Sequence, residues 1–467
     1  MHKLPLRRKA PSGRNVDACQ TWGVNLKNIV VIGFESAGLT AASTARVVNR
    51  EANVTVIERR LYAIYHPCGI PFAIGGDIPH IKNLVEPAPR LPNLDVRTAT
   101  EAISLDTNKR IVEVVNRHTA KHEIVEYDAL VLATGSLAPK PPIPGVNLGN
   151  VHTVRTMRDG EEIIAALPRA MNAVVIGAGP IGIETAVALH KRGLGVTLIE
   201  MQSSVLPGML DPDMSDSVIE QLRGHDIETI CGKRVEEICG QDKVSSVVVD
   251  GEEIQADLVA IATGVKPDIE LAKAAGIKVG PTGAIEVDDH LRTSAPDVYA
   301  AGDCAESKCF ITKRPTLSQL ATTAIRMGKV AGTNAAGGDE VFPGVLNTVV
   351  TSAYGLEIAS TGLTMNTAKM VGMEPVVGRI RTLSKPSYYP GAEPVIVKLL
   401  VEPGTRKILG GQMIGDGSAE RANMLALAIK HGIIVDDLAR MEYCYAPPVC
   451  DCIEPLVVAA EAVLRKL

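Results

Sequence analysis

The chain has 467 residues, with 48 basic and 53 acidic side chains, so its formal net charge is −5. This length predicts about three domains. The balanced charge disfavours nucleic acid as a partner, because binding nucleic acid calls for a basic face. No apolar run reaches the roughly 18 residues of a membrane span, so we expect no membrane partner. The nine cysteines form an odd and unevenly spaced set, which predicts a reducing, cytoplasmic compartment rather than a secreted disulfide framework.

Residues 1–26 carry five basic side chains and no apolar stretch. A secretory signal requires such a stretch, so the segment is not typical of one. We predict a basic, disordered tail. The folded part of the chain is predicted to begin at residue 27.

Two segments, 28–58 and 172–200, repeat one pattern. Each reads as a strand rich in β-branched residues, a glycine loop, a helix and a second strand. Residues 130–136 and 258–264 also resemble each other. Such alternation is typical of parallel α/β units, so the repeat predicts an α/β protein with two Rossmann-like dinucleotide-binding domains. The predicted elements are strands 28–32, 54–58, 173–176 and 196–200 and helices 37–49 and 181–192.

After about residue 340 the pattern changes. Strand-like and helical stretches are mixed, which predicts an α+β unit that packs on another subunit or on the nucleotide-binding domains. The predicted strands are 345–352, 395–401 and 408–414, and the predicted helices are 364–370, 419–430 and 435–440.

The second glycine loop follows the full dinucleotide pattern. Gly177 permits a tight turn, Gly179 lets a pyrophosphate approach the backbone, and Gly182 allows close contact between helix and strand. Pro180 and Ile181 complete the motif at the start of the helix, whose amides face the phosphates. Glu200 ends the next strand, where its carboxylate can accept a ribose 2′-hydroxyl and would repel a 2′-phosphate. The loop therefore predicts NADH in preference to NADPH.

The first glycine loop departs from that pattern. Gly33 and Gly38 keep the outer positions, but Glu35 replaces the middle glycine. A carboxylate beside a pyrophosphate is unfavourable unless it points away. Glu58 ends the following strand, as a ribose acceptor should, so we still predict a dinucleotide here.

A third nucleotide signal is the apolar run that ends at Asp303. Its carboxylate is placed to bind the hydroxyls of an extended ligand. A helix predicted over 316–332 could aim its N-terminal dipole at an electron-rich ring.

These features together resemble the FAD- and pyridine-nucleotide-dependent disulfide oxidoreductases. The resemblance rests on the two glycine loops, the Ala-Thr-Gly turns at 133–135 and 262–264, and Ala300-Ala-Gly-Asp303. The segment Tyr65-His-Pro-Cys-Gly-Ile-Pro-Phe72 is similar to the single-cysteine branch, which holds CoA disulfide reductases, NAD(P)H oxidases and persulfide reductases. Residues 388–391 and 445–448 resemble the C-terminal dimerisation domain of that branch.

The resemblance implies a homodimer and a set of domains and sites. It implies an FAD-binding domain in two parts (27–146 and 269–338), an NAD(P)H-binding domain (147–268) and a dimerisation domain (339–467). It implies that FAD lies on Gly33, Ser36, Ala37, Gly38, Glu58, Thr134, Gly135 and Asp303. It implies that NADH lies on Gly177, Gly179, Pro180, Ile181, Gly182, Glu200 and Gly264. Cys68 would lie under the flavin, and Tyr388 and Tyr445 would reach the active site from the partner subunit.

Three positions depart from members of the branch. Ser36 stands where peroxidases and water-forming oxidases carry a histidine, which disfavours those two activities. Val47 and Ile453 stand where CoA-binding members carry basic residues. CoA itself is therefore disfavoured as the substrate.

Cys68 is the predicted redox residue. Tyr65 and Ala73 occupy the positions where a second cysteine of a local pair would stand. The thiol must therefore cycle through a mixed disulfide, sulfenic acid or persulfide. Gly69 and Pro71 suggest a helix start, which predicts a lowered pKa of the Cys68 thiol. His66 is either a second stabiliser of the thiolate or, more simply, a solvated loop residue.

Tyrosines and cysteines share the same short segments. Three close tyrosine pairs, 62/65, 388/389 and 443/445, hold six of the nine tyrosines, and the first and last lie beside cysteines. If a dimer brings the three tyrosine pairs together, the tyrosines share one pocket with the reactive thiols. Cys450 and Cys452 follow Tyr445 closely. Three interpretations of this pair remain open. The two thiols pass electrons from Cys68 to an external disulfide, they bind a soft metal ion, or they only line the pocket.

The predicted function is NADH-dependent reduction of a small disulfide or persulfide by a flavoprotein. Cys68 attacks the substrate, and Tyr445 or Tyr388 protonates the departing thiol, for which a phenol is a suitable acid. Two alternatives remain open at this point: an NADH oxidase that reduces oxygen, and an NADH-sensing flavoprotein without steady turnover. The spacing of the other cysteines predicts no metal site.

Overall fold

The computed structural model describes residues 27–467, so the tail predicted over 1–26 lies outside the described residues. A parallel five-stranded sheet forms the first unit. Its central strand pairs Val30 with Thr55 on one side and with Leu130 on the other. The strands, in spatial order, are Val298–Ala300, Ala129–Leu132, Asn28–Ile32, Asn53–Ile57 and Leu94–Arg97. Helices Ser36–Val48 and Ala321–Ala335 contact each other extensively beside it.

A second parallel five-stranded sheet repeats this design. Its strands, in spatial order, are Val151–Thr153, Leu258–Ile261, Asn172–Ile176, Gly195–Glu200 and Ile227–Cys231. The inner strands are buried along nearly their whole length, as expected where helices cover both faces of a parallel sheet. Its helices are Met157–Ala166, Pro180–Lys191 and Pro212–Arg223.

Each parallel unit also carries a three-stranded antiparallel sheet. The strands are Thr100–Asp106, Ile111–Asn116 and His122–Glu126 in the first unit. They are Val235–Gly240, Val244–Val249 and Glu252–Gln255 in the second. Cys231 and Cys239 lie within strands of the second unit.

The C-terminal unit is a five-stranded antiparallel sheet. Its strands, in spatial order, are Val349–Ala353, Leu356–Gly362, Ile408–Ile414, Pro394–Val401 and Val376–Leu383. Helices Ser418–Lys430 and Pro455–Leu464 pack on it. Short helices and turns complete the chain: Pro67–Gly69, Ile70–Gly75, Ile81–Leu84, Leu167–Arg169, Glu270–Ala274, Met365–Met370 and Val435–Leu438. The two-residue strands are Ile64–Tyr65, Val85–Glu86, Ser136–Leu137, Lys266–Pro267, Ser307–Lys308 and Pro315–Thr316.

A buried polar contact joins the second unit to the C-terminal sheet. The Nζ of Lys398 lies 2.8 Å from Oδ2 of Asp211 and 2.6 Å from Oδ1 of Asp213. Gln412 donates to the same Asp211 oxygen at 2.8 Å and accepts from the Asp211 N–H at 2.9 Å. Because a buried charge is costly without a partner, this contact fixes the position of the two units relative to each other.

Most predicted elements are confirmed, and two need correction. The strands predicted at 28–32 and 408–414 have the predicted bounds. The helix predicted over 316–332 begins only at Ala321, because Pro315–Thr316 pairs as a short strand with Ser307–Lys308. The strand predicted from 345 begins at Val349, since Asn347 has a φ of +51° that a strand does not accommodate.

Between residues 27 and 467, no helix is both long enough and apolar enough to cross a bilayer.

Candidate active site

The first glycine loop is packed against the backbone of its neighbours. Gly33 has a φ of +94°, and a Cβ added there would lie 2.2 Å from the carbonyl oxygen of Ala133. A Cβ on Gly38 would lie 1.9 Å from the carbonyl oxygen of Gly33. The buried Glu58 accepts a hydrogen bond from the Phe34 N–H at 2.9 Å. The loop is therefore held in one shape, with the start of helix Ser36–Val48 directly behind it.

The second loop has the same construction. Gly177 has a φ of +102°, and a Cβ on Gly182 would lie 1.8 Å from the Gly177 carbonyl oxygen. Glu200 accepts hydrogen bonds from the N–H groups of Ala178, at 2.7 Å, and Gln202, at 2.8 Å. By contrast, a Cβ on Gly179 would meet nothing within 4 Å. Gly179 thus borders open space at the N-terminus of the helix, whose first residues are Pro180 and Ile181.

Glu35, the residue that replaces the middle glycine of the first loop, is paired with two arginines. Its carboxylate forms an ion pair with Arg60 and lies 3.7 Å from Arg155. Arg60 also binds both oxygens of Glu58, at 2.9 and 2.8 Å. Its pKa is raised well above the ordinary value, because the stabilisation from Glu58 and Glu35 outweighs the opposing effect of burial. The two cations offset the charge that Glu35 brings to this loop.

We expect the substitution Glu35→Gln to tighten the binding of FAD to the apoprotein by about tenfold. The change removes a negative charge beside the loop that receives the pyrophosphate, and it releases Arg155 to bind an anion. Titration of the apoprotein with FAD, followed by flavin fluorescence, measures the change. Glu51→Gln, at an exposed position beyond the same helix, is the control. Unchanged or weaker binding by Glu35→Gln would contradict the prediction.

Arg155 also connects the loop to the predicted flavin residue Asp303. Its Nη2 donates to Ser136 Oγ at 3.3 Å, and Ser136 Oγ donates to Asp303 Oδ2 at 2.7 Å. Burial raises the pKa of Asp303, and the hydrogen bond from Ser136 and the charge of Arg155 oppose that rise. Sequence reasoning missed Arg155, because no motif marks a loop arginine that meets its partners only in the folded chain.

The other residues predicted for the nucleotides lie in turns and at a helix start beside these two loops. Thr134 Oγ1 donates to the Asp268 carbonyl oxygen at 2.6 Å. Gly135 and Gly264 have φ values of +74° and +98°, and a Cβ on either would meet nothing within 4 Å. Ser36 and Ala37 open the first helix. The turn at Gly302, just before Asp303, lies so close to that helix that a Cβ there would be 2.8 Å from the Ala37 Cβ.

Cys68 lies in the turn Pro67–Gly69, directly before the helix Ile70–Gly75, and its side chain is exposed. The predicted helix start is present, but the predicted lowering of the thiol pKa is wrong. Partial burial raises the pKa of Cys68, the carboxylate of Glu184 raises it further, and Arg155 opposes them. His66 binds Glu86 at 3.1 Å and is exposed, which confirms the simpler interpretation of a solvated histidine.

Glu184 is the second residue that the sequence did not reveal. It lies on helix Pro180–Lys191, and its Oε1 accepts a hydrogen bond from Thr351 Oγ1 at 2.7 Å. Burial raises the pKa of Glu184, and the bond from Thr351 opposes that effect. A carboxyl group of the second unit, held by the C-terminal unit, thus influences the thiol of the first unit.

The predicted tyrosines form two separate groups within one chain. The hydroxyls of Tyr388 and Tyr445 are 2.9 Å apart, and both side chains are exposed in the C-terminal unit. The hydrogen bond with Tyr388 is the main cause that raises the pKa of Tyr445 to about 12. Tyr62 and Tyr65 instead lie near Cys68, with ring centroids 5.4 Å apart and the Arg60 guanidinium over both rings.

Cys450 and Cys452 lie in the segment that follows Tyr445. The Sγ of Cys450 is 3.4 Å from the carbonyl oxygen of Cys444, and Cys452 is exposed. In the described part of the chain, no group of three or more His, Cys, Asp or Glu side chains is arranged to hold a metal ion.

Two family models cover most of the chain. Residues 27–328 match the pyridine nucleotide-disulphide oxidoreductase model, and residues 348–455 match the dimerisation domain of the same family.

Individual relatives match along nearly the full chain. A protein of Methanocaldococcus jannaschii named NADH oxidase is 42% identical over 94% of this chain and 99% of its own length. A CoA-dependent NAD(P)H sulfur oxidoreductase of Pyrococcus furiosus is 37% identical over 93% and 98% of the two chains. Among solved structures, an NAD-dependent persulfide reductase from A. fulgidus has a TM-score of 0.90 at 38% identity and covers 94% of this chain and 83% of its own.

The predicted fold class, the predicted class of enzyme and its cofactors, FAD and NADH, are confirmed by these matches together with the fold. The chain belongs to the pyridine nucleotide-disulphide oxidoreductase family.

Proposed function

We propose that this enzyme uses NADH to reduce a small disulfide or persulfide through the single thiol of Cys68. The observation that carries the proposal is the position of Cys68: an exposed thiol beside the flavin loop, with Arg155, Glu184 and Asp303 among the charges that act on it. The names of the relatives from Pyrococcus furiosus and A. fulgidus support a sulfur acceptor.

The two glycine loops fit the two nucleotides. In each, glycines stand where a side chain would meet backbone, and a carboxylate at the end of the next strand holds the loop open. We propose that Gly33, Ser36, Ala37, Gly38, Glu58, Thr134, Gly135 and Asp303 hold FAD. We propose that Gly177, Gly179, Pro180, Ile181, Gly182, Glu200 and Gly264 hold NADH. The chemistry that bound FAD would supply is transfer of the electron pair of NADH to the oxidised form of Cys68, the mixed disulfide or persulfide, which restores the thiol.

Residues of the chain then control the protonation of the Cys68 thiol. Partial burial and, after it, the carboxylate of Glu184 raise the pKa of Cys68, which favours the protonated thiol. Loss of that proton creates the nucleophile, which attacks one sulfur of the substrate. The departing thiolate takes a proton from Tyr445. The hydrogen bond with Tyr388 raises the pKa of this phenol to about 12, which keeps it protonated but weakens it as an acid, so the transfer becomes easier when the substrate displaces Tyr388 from that bond.

The tyrosine pair would act on Cys68 of a second copy. Tyr388 and Tyr445 lie in the C-terminal unit, which matches the family's dimerisation domain. The exposure of both phenols leaves them available to a partner subunit. We therefore propose a homodimer with shared active sites, and a cytoplasmic location that keeps its cysteines reduced.

Oxygen is the second candidate acceptor. The relative from Methanocaldococcus jannaschii is named NADH oxidase and is 42% identical to this chain. The two acceptors need the same flavin and the same thiol, so the acceptor must be measured directly.

Anaerobic reduction by NADH, followed by addition of one acceptor at a time, tests the proposal. We expect small disulfides and a persulfide to reoxidise the flavin at least about tenfold faster than air-saturated buffer does. Mass spectrometry of Cys68 during turnover should show a mixed disulfide or a persulfide. If only oxygen reoxidises the flavin, the protein is an NADH oxidase and the proposal is wrong. If no acceptor reoxidises the NADH-reduced enzyme, the protein is an NADH-sensing flavoprotein instead.

A further inference from the structure

A reversal of the chain brings three thiols together in the C-terminal unit. The N–H groups of Val449 and Cys450 both bind the Ala446 carbonyl oxygen at 2.9 Å, so the chain turns at Pro447 and Pro448. An antiparallel bridge joins Ala446 to Cys450 across this turn. Cys444 precedes the turn, and Cys450 and Cys452 follow it.

The turn places Cys450 beside Cys444. The Sγ of Cys450 is 3.4 Å from the Cys444 carbonyl oxygen, so the sulfur lies against the main chain of the other cysteine. Cys444 is exposed and Cys450 is half-buried. The more exposed Cys444 is the thiol that an incoming disulfide meets first, and Cys450, whose sulfur contacts the Cys444 main chain, is the candidate resolving thiol.

Cys452 is less suited to this chemistry. Asp451 raises the pKa of Cys452, mainly through a hydrogen bond that favours its protonated form, and the thiol is not the nucleophile that a thiolate would be. A disulfide between Cys450 and Cys452 would also be strained, because one intervening residue does not bring two cysteines into relaxed disulfide geometry. The structure thus favours a different pair from Cys450 and Cys452, whose relay was one of three interpretations that the sequence left open.

We propose that Cys444 and Cys450 form a second dithiol centre, which reduces a small disulfide and is recharged by NADH through Cys68. The proposal rests on the proposed function, in which Cys68 receives the electrons of NADH. We place the recharging step between two copies of the chain, because the proposed function already brings Tyr445, which directly follows Cys444, to Cys68 of a second copy.

The exchange balances in two steps. The Cys444 thiolate attacks the substrate RSSR, the S–S bond breaks, and RSH leaves after taking a proton. The Cys450 thiolate then attacks the Cys444 sulfur of the mixed disulfide, the Cys444–Cys450 bond forms, and a second RSH leaves. The dithiol has lost two electrons and two protons, and the substrate has gained them. In recharging, the Cys68 thiolate attacks the Cys444 sulfur, the Cys444–Cys450 bond breaks, and Cys450 takes up a proton. The electron pair of NADH then breaks the Cys68–Cys444 bond, so one NADH and one proton restore the dithiol.

Peptide mass spectrometry tests the centre directly. The dimeric holoenzyme is reduced by NADH without oxygen, freed of excess NADH, and mixed with cystamine, a small soluble disulfide. We expect a linked peptide that joins Cys444 to Cys450 and has lost two hydrogens. Fresh NADH should remove the link in the wild-type enzyme. In Cys68→Ser, NADH should leave the link intact, whereas dithiothreitol should still remove it.

Turnover provides the second measurement. The double variant Cys444→Ser/Cys450→Ser should reduce cystamine about tenfold more slowly, with reduction of its flavin by NADH unchanged. The control is Cys239→Ser, a half-buried cysteine in a strand of the second unit. Retention of wild-type turnover by the double variant, absence of the linked peptide, or a link that NADH does not remove in the wild type would each overturn the proposal. So would a loss of turnover in Cys452→Ser that Cys444→Ser does not share.

The two proposals fail in different ways. If Cys68→Ser loses disulfide reduction while the double variant retains it, the dithiol centre is wrong and the proposed function stands. If the wild-type enzyme passes no electrons from NADH to any disulfide or persulfide, the proposed function itself fails.

Discussion

The substitution Cys68→Ser is expected to lower NADH-dependent disulfide reduction by at least about a thousandfold. Serine cannot form a mixed disulfide, and its hydroxyl is a far weaker nucleophile than a thiolate at neutral pH. Reduction of the flavin by NADH should continue at close to the wild-type rate, because Cys68 lies outside both glycine loops. Steady-state turnover and anaerobic rapid mixing measure the two quantities separately.

The control for this substitution is a cysteine outside the proposed active site. Cys309→Ser changes a half-buried cysteine whose Sγ accepts a hydrogen bond from the Thr312 N–H at 3.5 Å, and it should retain wild-type turnover. If Cys68→Ser keeps a tenth of the wild-type disulfide turnover, electrons reach the substrate by a route that does not include this thiol. Loss of flavin reduction in the same variant would instead show that the change disturbs the cofactor site.

Much of the fold could be predicted because local and tertiary preferences agree. Strand Asn28–Ile32 is a run of β-branched residues that is buried along most of its length, and the glycine loop after it permits one sharp turn. The start of helix Ala321–Ala335 could not be found in this way. The residues before it are held by the pairing of Thr316 with Ser307, a contact that leaves no periodic signal in the sequence.

The candidate site divides along the same line. Gly33, Gly182 and Cys68 belong to local motifs and could be named from the sequence. Arg155 and Glu184 reach the site only through the packing of separate units, so no spacing rule marks them. The predicted shift of the Cys68 pKa is wrong for a related reason. Partial burial and Glu184, which raise the pKa, depend on the folded chain, whereas the helix start is a local feature.

Two glycines of the second loop should separate cofactor binding from stability. Gly182→Ala is expected to destabilise the protein by about 3 kcal/mol, because its Cβ would lie 1.8 Å from the Gly177 carbonyl oxygen and the helix must move away. Gly179→Val should leave thermal unfolding unchanged. Its backbone, at φ −71° and ψ −178°, is open to any residue, and no protein atom lies within 4 Å of the added Cβ.

The valine at position 179 should instead raise the KM for NADH by about a hundredfold, because it occupies the space through which the pyrophosphate reaches the helix amides. Thermal unfolding midpoints and NADH titrations of both variants measure the contrast. The first loop carries a large side chain, Glu35, at the position equivalent to Gly179. There the side chain is held by ion pairs with Arg60 and Arg155. A valine at position 179 carries no charge that an arginine could hold, and its Cβ would have no protein atom within 4 Å, so the side chain would face the ligand. A wild-type KM for NADH in Gly179→Val would mean that NADH binds elsewhere. Wild-type thermal stability in Gly182→Ala would mean that the loop can shift to accept the added Cβ at little cost.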